Sequence, residues 1–278
     1  MFKNILLCLD GSPQDEIVTH AAFWLGGRLG ATLHGLHVMD LIALEGPLLY
    51  DISGSLSLIP QMNFMEETRK ILKERGEHIL GLFKSKCEEL KLPCKIYLEE
   101  GIIHKVITDK AQTHDLTILG RRGLHYKLDN DLMGSTADRV VRKTKAPLLV
   151  LTHVFSEIRS PLLAYDGTQA SREAMLSSVK LVADLKLPLT VLTVNSDKED
   201  GKEILEEAKS YLDPYHLVVK YDCIEGSPHH AIPEYVKRHN HDFVILGAHG
   251  HLGIVELLLG STTEYLLWQG VAHVYVDR

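Results

Sequence analysis

Asp115-Leu116-Thr117-Ile118-Leu119-Gly120-Arg121-Arg122-Gly123 and Asp242-Phe243-Val244-Ile245-Leu246-Gly247-Ala248-His249-Gly250 are identical at five of their nine positions. Each is an apolar, strand-like run that ends in a pair of glycines. Each is followed by the same triplet: Gly134-Ser135-Thr136 in the first copy and Gly260-Ser261-Thr262 in the second. The spacings are G-x2-G-x10-G-S-T and G-x2-G-x9-G-S-T. One such pair of glycines means little. The pattern met twice in one context predicts two copies of a phosphate-cradling domain.

The surroundings repeat as well. In the first half an apolar run, Lys3 to Leu9, ends in Asp10-Gly11-Ser12, a strand-to-helix turn signal. A helical pattern from Asp15 to Leu29 stops at Gly30. Strands over Thr32 to Met39, Cys94 to Leu98, Leu116 to Leu119 and Pro147 to Thr152 alternate with helices over Met65 to Leu90, Ile102 to Gln112 and Ser135 to Lys143. The second half repeats the order. A strand from Leu162 to Tyr165 ends in Asp166-Gly167-Thr168. Strands at Leu187 to Val194, Leu217 to Cys223, Phe243 to Leu246 and Val271 to Val276 alternate with helices, one of them over Glu203 to Leu212. Such alternation predicts an α/β fold with a parallel sheet covered on both faces. Ligands of these sheets bind at the carboxyl ends of the strands, where strand order reverses. Asp10, Asp166 and both glycine loops fall at such ends.

The length of 278 residues fits two domains, read as 1–155 and 156–278. From Asp10 to Gly120 is 110 residues and from Asp166 to Gly247 is 81, so the first half is longer by 29. The surplus lies mostly between Asp40 and Lys70. Its stretch Glu45 to Pro60 has no clear periodicity and reads either as a lid over the first site or as a packing arm across the other half.

Net charge is −7, which argues against a general nucleic-acid binder; the basic run Arg139 to Lys145 reads as a solvated helix face. No charged leader precedes an apolar stretch, and no 18-residue apolar run is present. A cytoplasmic protein that meets neither membrane nor nucleic acid is expected. Cys8, Cys87, Cys94 and Cys223 lack metal or redox spacing and read as free thiols.

The chemistry of the loops follows from what a phosphate needs: close backbone approach, N–H donors and no obstructing side chain. Gly-Ser-Thr stands where a helix begins, and there the first N–H groups lack partners and the dipole favours an anion. Ser135 and Ser261 add hydroxyl donors. The pattern is not a Walker motif, because no Gly-Lys-Ser/Thr follows at the required spacing. It is not a dinucleotide fingerprint, because it follows the fourth strand of its unit rather than the first. Taken singly, each glycine also has a plain structural reading as a turn residue.

On these residues the chain resembles the nucleotide-binding branch of the universal stress protein family, whose signature is G-x2-G-x9-G-(S/T). The likeness covers nearly the whole sequence as two tandem copies. The aspartate after the first strand, His37-Val38-Met39-Asp40 and Ala146-Pro147-Leu148-Leu149-Val150 support it. The resemblance implies two Rossmann-like domains of the adenine nucleotide alpha hydrolase-like kind, each a five-stranded parallel sheet of order 3-2-1-4-5. It implies ATP, with Mg2+, as ligand. By matching position, the second site comprises Asp166, Gly167, Thr168, Val194, Gly247, Gly250, Gly260, Ser261 and Thr262. The first comprises Asp10, Gly11, Ser12, Val38, Gly120, Gly123, Gly134, Ser135 and Thr136. The extra residue between the second and third glycines of the first copy would shift its cradle. Arg121 and Arg122 would compensate electrostatically, or serve as plain loop cations; His249 could donate to a phosphate when protonated.

The resemblance further implies that the halves pair through their fifth strands, as subunits of the family's dimers do. Dimerisation of the whole chain and an unidentified protein partner are further expectations. Three rival functions stand beside a nucleotide-dependent stress-response regulator. One is a ligand-free stress protein that works through partners. Another is an ATP-consuming enzyme, although no catalytic group is legible and a slow ATPase is the most expected. The last is a metal-binding regulator, suggested by 16 histidines of which His229, His230, His239, His241, His249 and His251 crowd the second half. Their spacing matches no zinc motif.

Overall fold

The computed structural model describes residues 2–40, 61–123, 133–248 and 259–277. The stretch Glu45 to Pro60, with its lid and arm readings, lies outside the described residues, as do His249, Gly250 and His251.

Strand-forming apolar runs and amphipathic helices alternate as the sequence predicts. The first half contains β1 (Asn4–Cys8), α1 (Gln14–Leu29), β2 (Thr32–Asp40), α2 (Gln61–Glu89), β3 (Cys94–Gly101), α3 (Ile103–Ala111), β4 (Leu116–Gly120), α4 (Ser135–Lys143) and β5 (Leu148–Leu151). The second contains β6 (Pro161–Ala164), α5 (Gln169–Asp184), β7 (Leu189–Val194), α6 (Lys198–Leu212), β8 (Val219–Ile224), α7 (Pro228–His239), β9 (Phe243–Gly247), α8 (Ser261–Gln269) and β10 (His273–Asp277). α6 begins at Lys198 rather than Glu203. Asp197 caps it by accepting from the amides of Glu199 at 2.9 Å and Asp200 at 3.3 Å.

Within each half the strand order is the expected 3-2-1-4-5. The expectation of two separate five-stranded sheets is corrected: the strands form one ten-stranded sheet, β3-β2-β1-β4-β5-β10-β9-β6-β7-β8. The seam is antiparallel, pairing Val274 with Val150, Tyr275 with Leu149 and Val276 with Leu148. A lone fifth strand would expose a row of unpaired N–H and C=O groups at a sheet edge. Here each fifth strand covers the other. All other pairings are parallel, so the strands of the two halves run in opposite directions. Their carboxyl ends, and hence the two candidate sites, lie on opposite edges of the sheet.

Parallel strands covered on both faces are apolar throughout, and Ile5, Leu6 and Leu7 are all completely buried. Alternation divides the core into two layers. Ile5, Leu7, Leu149, Leu163, Phe243 and Tyr275 face α1, α2, α5 and α6. Leu6, Leu148, Val150, Leu162, Val244 and Val274 face the layer that includes Val140 and Val141 of α4 and Leu266 and Leu267 of α8. Both layers run without a break through the seam. The connection after β5 is packed as well, with Phe155 and Ile158 buried. No helix among the described residues is long and apolar enough to cross a membrane.

Candidate functional site

The turn after the first strand of each half is built alike. Gly11 and Gly167 adopt φ of +81° and +72°, a conformation open to glycine at little steric cost. The aspartate ahead of each folds back as an Asx turn. Asp10 Oδ1 accepts from the Ser12 amide at 2.9 Å, and Asp166 Oδ1 accepts from the Thr168 amide at 3.1 Å. Thr168 then caps α5.

A residue five positions on supports each turn, and here the halves diverge. Asp15 accepts from the amides of Asp10 at 3.1 Å and Gly11 at 2.8 Å. In the second half Ser171 Oγ accepts from the Asp166 amide at 3.4 Å. Burial, and then the neighbouring charge of Asp10, push the Asp15 carboxyl up to about 7. Arg75 of α2 lies over Gly11 and donates to the Asp10 carbonyl at 3.1 Å; apolar Ile204 lies over Gly167. His37 is buried behind the first turn, its Nδ1 donating to the Leu9 carbonyl at 2.8 Å, and burial lowers its pKa. Neither Asp15 nor Arg75 was among the residues expected from the sequence. Asp15 lies outside the Gly-Ser-Thr pattern, and Arg75 is distant in the chain.

The glycine loops also match. The Gly134 amide donates to the Arg121 carbonyl at 2.9 Å, and the Gly260 amide donates to the Ala248 carbonyl at 2.9 Å. These bonds bring each Gly-Ser-Thr back against the residue that follows Gly120 or Gly247. Gly134 (φ −62°, ψ 145°) and Gly260 (φ −60°, ψ 140°) begin α4 and α8 in nearly one conformation, and no side chain caps either helix. Ser135 and Ser261 are exposed; Thr136 and Thr262 are half-buried. Thr263 ties α8 to β9 by donating to the Gly247 carbonyl at 3.0 Å. Val38 and Val194 are half-buried at the carboxyl ends of β2 and β7, on the edges that carry the respective loops.

Several glycines also serve the protein's own packing. A Cβ on Gly123 would lie 2.7 Å from Asp10 Oδ2, one on Gly120 would lie 2.8 Å from Gln14 Cβ, and one on Gly247 would lie 2.5 Å from the Ala170 carbonyl carbon. The close approach that the sequence assigns to a phosphate is therefore made, at Gly123, by the turn after the first strand and, at Gly120 and Gly247, by the start of the helix that follows it. The contact at Gly123 joins Asp10 to the glycine loop of its own half. Next to it, a cleft of about 420 Å³ lies between α1 and the connection after β5, with Gln14, His20, Arg122 and Phe155 on its walls.

Arg121 is placed differently from the rest of its loop. It is buried, at 4% exposure, and its guanidinium donates to the Trp268 carbonyl in the other half. Arg142, from the basic run read as a solvated face, pairs with Asp138 at 2.9 Å and with Glu264 of the second half at 2.6 Å. Among the described residues no group of three or more histidine, cysteine or acidic side chains is arranged to hold a metal. The four cysteines are free.

The residues that fold into this repeated architecture match the Universal stress protein family over 1–152 and 196–277. The chain belongs to that family. It is 29% identical over 277 residues to Universal stress protein Slr1230 of Synechocystis, covering 95% of this chain and 96% of that one. It is 28% identical over 136 residues to Universal stress protein MJ0577 of Methanocaldococcus jannaschii, covering 46% of this chain and 75% of that protein. Among solved structures, a universal stress protein from Archaeoglobus fulgidus superposes with a TM-score of 0.77 at 20% identity, covering 99% of this chain and 98% of that one. That likeness is one of fold across both halves.

Proposed function

We propose that the chain binds ATP with Mg2+ at the carboxyl ends of its strands and acts as a nucleotide-dependent stress-response regulator in the cytoplasm. The observation that carries the reading is the duplicated closure of Gly134 onto Arg121 and Gly260 onto Ala248, at 2.9 Å each, which presents two helix N-termini without side-chain caps. Such an N-terminus offers N–H donors and a positive dipole end to an anion. Asp166 and Thr168, with the Val194 backbone, would hold the nucleoside; Gly260, Ser261 and Thr262 would hold phosphates and ribose. Asp10, Ser12, Val38, Gly134, Ser135 and Thr136 are the counterparts in the first half.

The bound nucleotide biases a conformational or assembly state, which requires unequal affinity for the two states. Catalysis is at most a slow hydrolysis of bound ATP. A second reading is a ligand-free stress protein that works through partners. The intramolecular contacts of Gly120, Gly123 and Gly247 favour it, because they give those glycines a structural purpose.

Calorimetric titration of Gly134→Val and Gly260→Val with Mg·ATP separates the two readings. The nucleotide reading expects each variant to lose one site. Unchanged stoichiometry in Gly260→Val contradicts the site assignment.

A further inference from the structure

The helices that start at the two glycine loops lie in the same layer, and each ends near the other's beginning. α8 starts at the second half's edge and runs back across the sheet toward the first half's edge. Its nine residues span about 13 Å at 1.5 Å per residue.

Both ends of α8 are held by cations from the first half. At its start, Glu264 in the first turn accepts from Arg142 Nη2 at 2.6 Å, and Arg142 is steadied by Asp138 at 2.9 Å. At its end, the Trp268 carbonyl accepts from the guanidinium of Arg121, the residue directly after Gly120. Gly270 lies against the same guanidinium, where a Cβ would overlap it. A buried cation at a helix C-terminus satisfies end carbonyls and complements the dipole.

Both cations come from the first half. By the repeat, Ala248 stands where Arg121 stands and Trp268 where Arg142 stands. Neither has a charge to return. The Arg142–Glu264 pair ties the two cradle helices to each other, whereas the contact of Arg121 with the end of α8 has no charged counterpart from the second half.

We propose that Arg121 and Arg142 are positioning residues for the second half's phosphate cradle, so that nucleotide in the first loop tightens binding in the second. The inference rests on the nucleotide reading above. The Arg121 amide donates to the Leu151 carbonyl at 3.0 Å and its carbonyl accepts from Gly134 at 2.9 Å, so a ligand that pulls on Gly134 bears on Arg121, whose guanidinium holds the end of α8. The helix is short, so a shift at Trp268 is carried to Ser261. By linkage, the second site must tighten the first by the same factor.

The test uses the full chain, Mg·ATP and the two glycine variants to assign sites. Second-site affinity should fall about fivefold in Gly134→Val, a coupling at the lower end of the usual range. Arg121→Met should lower it by a similar factor, Arg121→Lys should recover part, and the combination of Arg121→Met with Gly134→Val should be no worse than either alone. The exchange of Arg142→Glu with Glu264→Arg should restore what Arg142→Glu alone loses. Without nucleotide, amide hydrogen exchange at Glu264 to Leu266, the first hydrogen-bonded amides of the helix, should speed up in Arg121→Met, although the substitution is at the far end of the helix. Two independent sites in the wild type, or additive losses in the combined variant, overturn the coupling and leave nucleotide binding intact. Unchanged exchange at Glu264 to Leu266 overturns the positioning role. Failure of every form to take up nucleotide overturns the tightening together with the reading beneath it.

Discussion

A Cβ on Gly123 would lie 2.7 Å from Asp10 Oδ2, so the turn after β1 and the loop after β4 form one packed unit. The counterpart of Gly120 in the second half, Gly247, is packed against backbone. There Gly247 meets the backbone of Ala170, with its carbonyl carbon 2.5 Å from where a Cβ would stand. Backbone cannot rotate away, whereas the Asp10 carboxylate can. Gly247→Ala should therefore destabilise the chain by about 1–3 kcal/mol, the usual range for overpacking, and Gly123→Ala by less. Urea unfolding of the two variants checks the order.

The Asp15 carboxyl gives the first half a pH dependence that Ser171 cannot give the second. Burial, then Asp10, raise it from 3.8 to about 7 in the folded chain. Between those values the folded state binds a proton that the unfolded state releases. Stability from this group therefore falls as pH rises through that window. Asp15→Asn should flatten this part of the profile. Denaturant midpoints at pH 5 and pH 8, with and without the substitution, measure it.

His273 has the opposite sign. It is buried at the seam, where its Nδ1 accepts from the Thr152 amide at 3.3 Å, and burial lowers its pKa from 6.5 to about 4. The unfolded chain takes up this proton first. Its contribution is present above pH 6.5 and is lost as pH falls toward 4. A site-resolved NMR titration should place the His273 midpoint well below that of an exposed histidine. A midpoint near 6.5 would contradict the buried setting.

Glu207 joins α6 to the second half's core. It accepts from the buried Tyr165 hydroxyl at 2.5 Å and from Arg172, whose hydrogen bond leads in holding its carboxyl down at about 2. Glu207→Ala leaves the Tyr165 hydroxyl without this acceptor and should cost about 1–3 kcal/mol. Arg172→Ala removes an exposed ion pair and should cost less than Glu207→Ala. Thermal unfolding of the two variants distinguishes the contributions.

Much of this organisation is legible in the sequence. The apolar runs at Ile5 to Leu7 and Phe243 to Leu246 and the repeated Asp-Gly turns place the strands and the edges where ligands would sit. Pairing through the fifth strands, expected from the family resemblance, is found as β5 against β10. The first turn of α6 was harder to read. Lys198 to Gly201 lacks apolar periodicity, although Asp197 gives a capping signal. Arg121 was harder still. It stands between Gly120 and Gly123, which suggests a phosphate, while its carbonyl partner Trp268 is 147 positions away and carries no side-chain signal. The same applies to Arg142 and Glu264, separated by 122 positions. A cation in a basic run looks solvated until the other half's helix is brought beside it.

The most direct test of nucleotide binding is native mass spectrometry of freshly purified protein, followed by titration with Mg·ATP. One or two ATP molecules per chain are expected, with Gly260→Val losing the second-half site. No bound nucleotide, and no uptake at millimolar ATP, would contradict the account and leave the glycine loops as packing between the Asp10 and Asp166 turns and their strands.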